Sequence, residues 1–208
     1  MKRTILVCLC LTALFSASAK DMRELWLSMP DSLIGYMDKS KRLALLDHVD
    51  MNTTAELANK LEGKTSLDTL TSNFMQVTLN KVVDMRMTLL PTIGEGSSDS
   101  ILCVVRTYHN AEEESVVELY DQSWRRLRKI DYDPEMFFSR PDTMSQERFE
   151  QIRSLVSVLF VKAELREGSD ALLLTPSMPF NTREEKEDIK SIILQINVKW
   201  DGKTFNKC

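Results

Sequence analysis

The chain reads as an α+β protein, with helices packed on a mostly antiparallel sheet that can divide into two subdomains near residues 131–144; a single continuous sheet is the alternative. Three observations lead there. Ser100 to Lys129 reads as three consecutive antiparallel strands joined by polar turns, and Asp21 to Val49 carries helical periodicity. Beyond residue 144, helix starts at Ser145 and Thr182 alternate with hairpin signals.

The meander organises the rest. Ile101 to Val105 is a short apolar run rich in β-branched residues, as expected of a strand covered on both faces. Asn110 to Glu114 is polar enough to be a solvated reversal. Val117 and Leu119 then alternate with Glu118 and Tyr120, the period of a half-buried strand. After Asp121-Gln122-Ser123 a third strand is predicted, with Trp124, Arg126 and Arg128 on one side and Arg125, Leu127 and Lys129 on the other.

From the start of the chain, residues 1–19 read as a secretory signal. Lys2 and Arg3 precede an apolar core from Ile5 to Phe15, and Ala17-Ser18-Ala19 supplies small residues for cleavage before Lys20. Val7 and Leu9 precede Cys8 and Cys10, which does not suit a lipoprotein signal. The expected product is exported, periplasmic or secreted, and soluble after cleavage. No later apolar run reaches the roughly eighteen residues of a membrane span, so no transmembrane segment is expected.

Residues 20–130 are expected to form helices followed by the strand meander. Short helices are predicted over Asp21–Ser28, Asp31–Met37 and Lys39–Val49. The last should bury Leu43, Leu46 and Val49 and leave Lys41 and Arg42 outside. Met51 to Thr54 reads as a linker, and Thr65 to Thr71 alternates weakly. Strands are predicted over Phe74–Leu79 and Val82–Pro91, with a turn at Asn80-Lys81 and a flexible loop from Gly94 to Ser98.

Residues 131–144 read as an ordered connector, and 145–208 as a helix, a hairpin, a second helix and a second hairpin. Ser145 caps the first helix. Glu167 to Asp170 turns the first hairpin, Thr182 with Glu185 makes a capping box, and Asp201-Gly202 turns the second hairpin.

Composition excludes some functions. With 27 basic against 31 acidic residues the net charge is −4, and loss of Lys2 and Arg3 makes it more acidic, so no nucleic-acid partner is expected. Beyond the signal only Cys103 and Cys208 remain. Cys103 is read as a buried free thiol in preference to half of a disulfide. No cofactor or metal is implied, since two cysteines and two distant histidines have no ligand spacing. Met85 and Met87 are read as adaptable core filler.

No serine has the glycine-flanked setting of an acyl-transfer nucleophile. His48 and His109 are read as separate structural residues unless the fold brings them together. Glu112, Glu113 and Glu114 lack the spacing and glycine of a calcium loop. The candidate ligand-binding residues are Trp124, Arg126 and Arg128: guanidinium forks beside an aromatic face suit an anionic or sugar-like ligand. The competing reading is a charged edge strand that discourages aggregation.

Leu61-Glu62-Gly63-Lys64-Thr65, Met87-Thr88-Leu89-Leu90-Pro91, Cys103-Val104-Val105-Arg106-Thr107 and Leu119-Tyr120-Asp121-Gln122-Ser123-Trp124 resemble an uncharacterised family of exported proteins from Bacteroides-type bacteria. That resemblance implies export from a Gram-negative cell and an ordered domain over most of the mature chain, and it assigns no site residues.

The expected function is a non-catalytic extracytoplasmic binding or interaction module whose partner is an envelope protein or a small ligand. A periplasmic carrier of an apolar ligand and a hydrolase with a spatially assembled site are the alternatives. The sequence leaves the oligomeric state open.

Overall fold

The computed structural model describes residues 20–61, 63–93 and 100–208. The predicted signal, residues 1–19, and the Gly94–Ser98 loop lie outside them. Seven strands follow one another as an antiparallel meander: β1 (Glu56–Asn59), β2 (Gly63–Leu70), β3 (Phe74–Asn80), β4 (Val83–Pro91), β5 (Ser100–His109), β6 (Glu113–Tyr120) and β7 (Arg126–Ile130). A second antiparallel sheet contains β8 (Phe160–Leu165), β9 (Ala171–Ser177), β10 (Ile196–Trp200) and β11 (Phe205–Lys207) in the order β11-β10-β9-β8. The helices are α1 (Met22–Ser28), α2 (Lys39–Asp50), α3 (Gln146–Arg153) and α4 (Arg183–Lys190). The fold is α+β with antiparallel sheets, and sheet outweighs helix more than the sequence reading implies.

The alternation of β5 explains the layering. Leu102 and Val104 join one core with Met75, Met85 and Met87 of the sheet and Leu25, Trp26, Leu45 and Leu46 of α1 and α2. Cys103 and Val105 point the other way, into a core shared with Leu165, Leu172, Leu174 and Val198 of the second sheet. Burial on both faces is why this strand tolerates an unbroken apolar run, each such side chain contributing about 1.5–3 kcal/mol for the larger ones. Cys103 is buried and free, Cys208 is exposed and free, and burial pushes the Cys103 thiol pKa up to about 12.

Three local expectations are corrected. Of the predicted helix over Asp31–Met37, only a 3-10 turn at Asp31–Leu33 forms. Ile34 and Gly35 are poor helix formers, and the chain must bend to bring α2 back onto α1. The buried face of α2 is also rotated: Arg42 is 1% exposed and Leu43 is 47% exposed. The Arg42 guanidinium donates to the carbonyls of Met37 (2.7 Å) and Met29 (2.6 Å) and pairs with Asp31 (2.8 Å). It thereby satisfies the Met29 carbonyl where α1 ends and the Met37 carbonyl just before α2 begins.

The third correction concerns the β5–β6 reversal. Glu113 and Glu114 belong to β6, and the tip is docked onto the second sheet and α4. Lys162 of β8 donates to Glu113 at 2.5 Å, and Lys186 of α4 pairs with Glu112. Both lysines lie some fifty or more residues further along the chain, so the sequence around the tip carries no sign of them.

β1 was not foreseen, because Glu-Leu-Ala-Asn has no alternation to detect. Asn59 specifies the β1–β2 reversal instead: its Oδ1 accepts from the backbone of Leu61 (2.9 Å) and Gly63 (3.2 Å). Helix starts were legible. Thr182 and Glu185 form the predicted capping box of α4, and Ser145 caps α3.

The β10–β11 turn depends on Gly202, whose φ of 96° lies in the left-handed region and whose missing Cβ leaves room for Ile93. Gly202→Ala is expected to cost about 2 kcal/mol in urea unfolding, from backbone strain plus displacement of Ile93. Gly168→Ala, at φ 70° but facing open space, is expected to cost about 1 kcal/mol.

Candidate ligand-binding cleft along the β7 edge

The three candidate ligand residues part company in the structure. β7 begins at Arg126, and Trp124 lies in the preceding turn with φ 65°. Asp121 builds that turn: its Oδ1 accepts from the Ser123 hydroxyl (2.6 Å), the Ser123 N–H (2.9 Å) and the Arg125 N–H (3.0 Å). The Ser123 hydroxyl bond first, with these backbone bonds, holds the Asp121 carboxyl down to about 2. Trp124 is thereby turned inward, 7% exposed. Its Nε1 donates to the Leu25 carbonyl of α1 at 3.0 Å, and its ring meets Tyr120 at 5.5 Å between centroids. The indole is a core residue beneath α1, with no free face to stack on a sugar.

Arg126 and Arg128 are separated by a bulge. Tyr120 pairs with Arg126, whereas its neighbour Leu119 pairs with Arg128, so Leu127 is one residue extra. An extra residue reverses the parity of everything beyond it. Arg126 turns to the helical side and donates to Glu118 Oε1 at 3.0 Å. Arg128 turns to the second sheet and donates to the Lys203 carbonyl at 2.8 Å.

Glu118, 4% exposed, is the hub of the helical side. Its carboxylate is paired with Arg106 and accepts from the Tyr120 hydroxyl at 2.9 Å as well as from Arg126. Burial works to raise the Glu118 carboxyl pKa, but the bonds from Arg126 and Tyr120 and the charge of Arg106 outweigh it and hold it below the ordinary range. Burial, with the bond to Glu118, pushes the Tyr120 phenol up to about 12.

These pairings decide where positive charge is left over. Arg126 shares the single Glu118 carboxylate with Arg106, whereas Arg125 pairs with Asp121 at 3.0 Å and Lys129 with Asp131 at 3.2 Å. Arg128, Lys203 and Lys207 have no carboxylate partner among the described residues. Arg128 and Lys207 line a cleft of about 380 Å³ between β7 and β11, and Lys203 adjoins it beside Thr204. Arg128 to Asp133 line one wall in unbroken succession, Thr204, Phe205 and Lys207 line the other, and Val198 and Met136 add apolar surface. Arg128, Lys129 and Ile130, successive residues of β7, all line that wall, so the cleft meets the edge of the strand, since a face would present alternate residues; Asp131 to Asp133 continue the wall beyond the strand. β7 and β11 are each terminal strands of their sheets.

A smaller cavity of about 140 Å³ beside β6 and β8 shares Lys129 to Tyr132 with the cleft. The Tyr132 hydroxyl is buried without a hydrogen-bond partner among the described residues, and burial pushes its pKa up. Tyr132→Phe removes that unsatisfied group, and it is expected to raise stability by about 1 kcal/mol in thermal unfolding. Beneath the helices, the space bounded by Met29, Met85 and Trp124 is about 10 Å³, room for about one water.

The two histidines have separate partners. His48 Nδ1 is 3.0 Å from the Thr53 hydroxyl. His109 lies between Asp84 (2.9 Å to Nε2) and Glu113 (2.6 Å to Nδ1), with Lys162 on the far oxygen of Glu113. Burial pulls the His109 pKa down, but bonds and charge from Asp84 and Glu113 outweigh it, and the folded-state value is raised. A raised folded pKa means that His109 stabilises the fold fully below its unfolded value of about 6.5, and that this contribution is lost as pH rises through the folded value. Urea midpoints are therefore expected to fall across that window, with a flatter slope in His109→Gln.

Among the described residues no three His, Cys, Asp or Glu side chains are grouped to hold a metal, and no helix is long and apolar enough to cross a membrane. The fold is similar to the solved structure of a domain of an uncharacterized protein from Porphyromonas gingivalis W83. The TM-score is 0.74 at 22% identity, over 91% of this chain and 100% of that one. Among curated proteins none is detectably similar in sequence. Residues 14–205 match the family described as "Protein of unknown function (DUF3256)", and the chain belongs to that family.

Proposed function

We propose that the protein is a non-catalytic binding module, acting outside the cytoplasm, that takes an anionic ligand in the cleft between β7 and β11. The observation that carries this reading is the pair of lining cations without a carboxylate partner among the described residues, Arg128 and Lys207, in a cleft of about 380 Å³ on a chain of net charge −4. That volume falls within the ordinary range of ligand sites. The predicted signal supports the compartment. The partner is an envelope component bearing such a group. The apolar-carrier alternative requires α1 and α2 to lift from the sheet, because the space beneath them is about 10 Å³.

Titration of ¹⁵N-labelled protein with oligoglutamate and oligogalacturonate, against their uncharged counterparts, tests the reading. Saturable shifts of residues 128–133 and 204–207 with the anionic probes, lost in an Arg128→Ser/Lys207→Ser double variant, are expected. Equal shifts with the uncharged probes, or none in the cleft, would overturn it.

A further inference from the structure

We infer that the occupant of the cleft is an extended acidic polypeptide segment that adds to β7 as an eighth strand. The inference rests on the anion-binding reading above and narrows it to one chemistry. β7 pairs with β6 along one side, and among the described residues no strand pairs with its other side. That open side borders the cleft from Arg128 onward. A strand laid there would meet main-chain donors and acceptors on β7 and, across the cleft, those of β11, the terminal strand of the other sheet.

Length and polarity fit an extended segment. Three of the six wall residues, Arg128 to Ile130, are strand, so about 10 Å of β7 edge, at about 3.3 Å per residue, is open to an incoming segment, which then runs on past the irregular stretch Asp131 to Asp133. Val198, Met136 and Phe205 offer apolar contacts for every second side chain. The charges are polarised along the cleft. At one end stands Arg128, its guanidinium donating to the Lys203 backbone carbonyl, while Asp131 and Asp133 stand further along the same wall. An incoming strand antiparallel to β7 therefore places its C-terminal residues against the cationic end, and carboxylates belong there. The exposed charge of Arg128, with Arg126 only partly compensated, also accounts for an open edge on a folded protein: like charges repel a second copy of β7, whereas an acidic strand is attracted.

The test uses the full mature chain and three blocked peptides: Val-Thr-Val-Glu-Glu, its reversed sequence, and the first peptide N-methylated at alternate backbone nitrogens. The first is expected to bind and to slow hydrogen exchange of the β7 amides not held by β6. N-methylation removes main-chain donors without touching charge, and it is expected to weaken binding about tenfold. The reversed sequence should also bind more weakly. Equal affinity of the N-methylated peptide, or preference for oligogalacturonate with unchanged β7 exchange, would overturn strand addition and leave the anion site standing. Absence of binding by every anionic probe would overturn both.

Discussion

Trp124→Ala is expected to lower the unfolding free energy by about 3–5 kcal/mol, the range for removing a large buried aromatic side chain. The indole is 7% exposed, packs against Tyr120 and donates to the Leu25 carbonyl, so its loss opens a cavity beneath α1 and removes the link between the β6–β7 turn and that helix. Trp124→Phe keeps part of the volume without the Nε1 bond and is expected to lose about half as much. Chemical denaturation followed by circular dichroism measures both. The folded fraction of either variant should retain its affinity for anionic probes. A large loss of affinity at unchanged stability would instead return Trp124 to the binding surface.

Arg42→Ala should be of similar size, about 3–5 kcal/mol, for a different reason. At 1% exposure the guanidinium bridges the Met29 and Met37 carbonyls and Asp31, and its removal leaves those carbonyls buried without donors. Arg42→Met fills most of the space without supplying donors. It should recover the packing part and leave a deficit of about 2 kcal/mol, again read from urea midpoints. Complete recovery in the methionine variant would show that the hydrogen bonds contribute little.

Legibility in the sequence followed the range of the interactions involved. Strands β3 to β6 were visible because alternation and turn residues are local, and so were the starts of α3 and α4, where Ser145, Thr182 and Glu185 act within one turn. The stripe of Leu43, Leu46 and Val49 places Arg42 in solvent, because the carbonyls that draw it inward belong to other segments. The Glu112–Glu114 tip was read as solvated for the same reason, its lysines arriving from β8 and α4.

The basic cluster on β7 is plain in the sequence, but its geometry is not. One extra residue at Leu127 sends Arg126 and Arg128 to opposite faces, and a left-handed turn takes Trp124 indoors. Nothing in Ser-Trp-Arg-Arg-Leu-Arg announces a bulge. The cleft itself depends on Thr204 to Lys207, some seventy residues away from β7, and no periodicity connects the two. A clue was available in Asp121-Gln122-Ser123, whose side chains can bond their own backbone and set a tight turn before the strand.

The strictly sequential order of the seven strands has a kinetic consequence. Each strand finds its partner in the segment just made, so the sheet can close hairpin by hairpin as the chain emerges, without waiting for a distant strand. The helices at the start are the exception. α1 is held through Met22 to Ser72 and through Leu25 to Trp124, a hundred residues later, and cannot be fastened on both sides until the sixth strand and the turn after it exist. The first elements to be synthesised are therefore among the last to be secured, and until then the Met-rich face of the growing sheet stands uncovered, open to a chaperone.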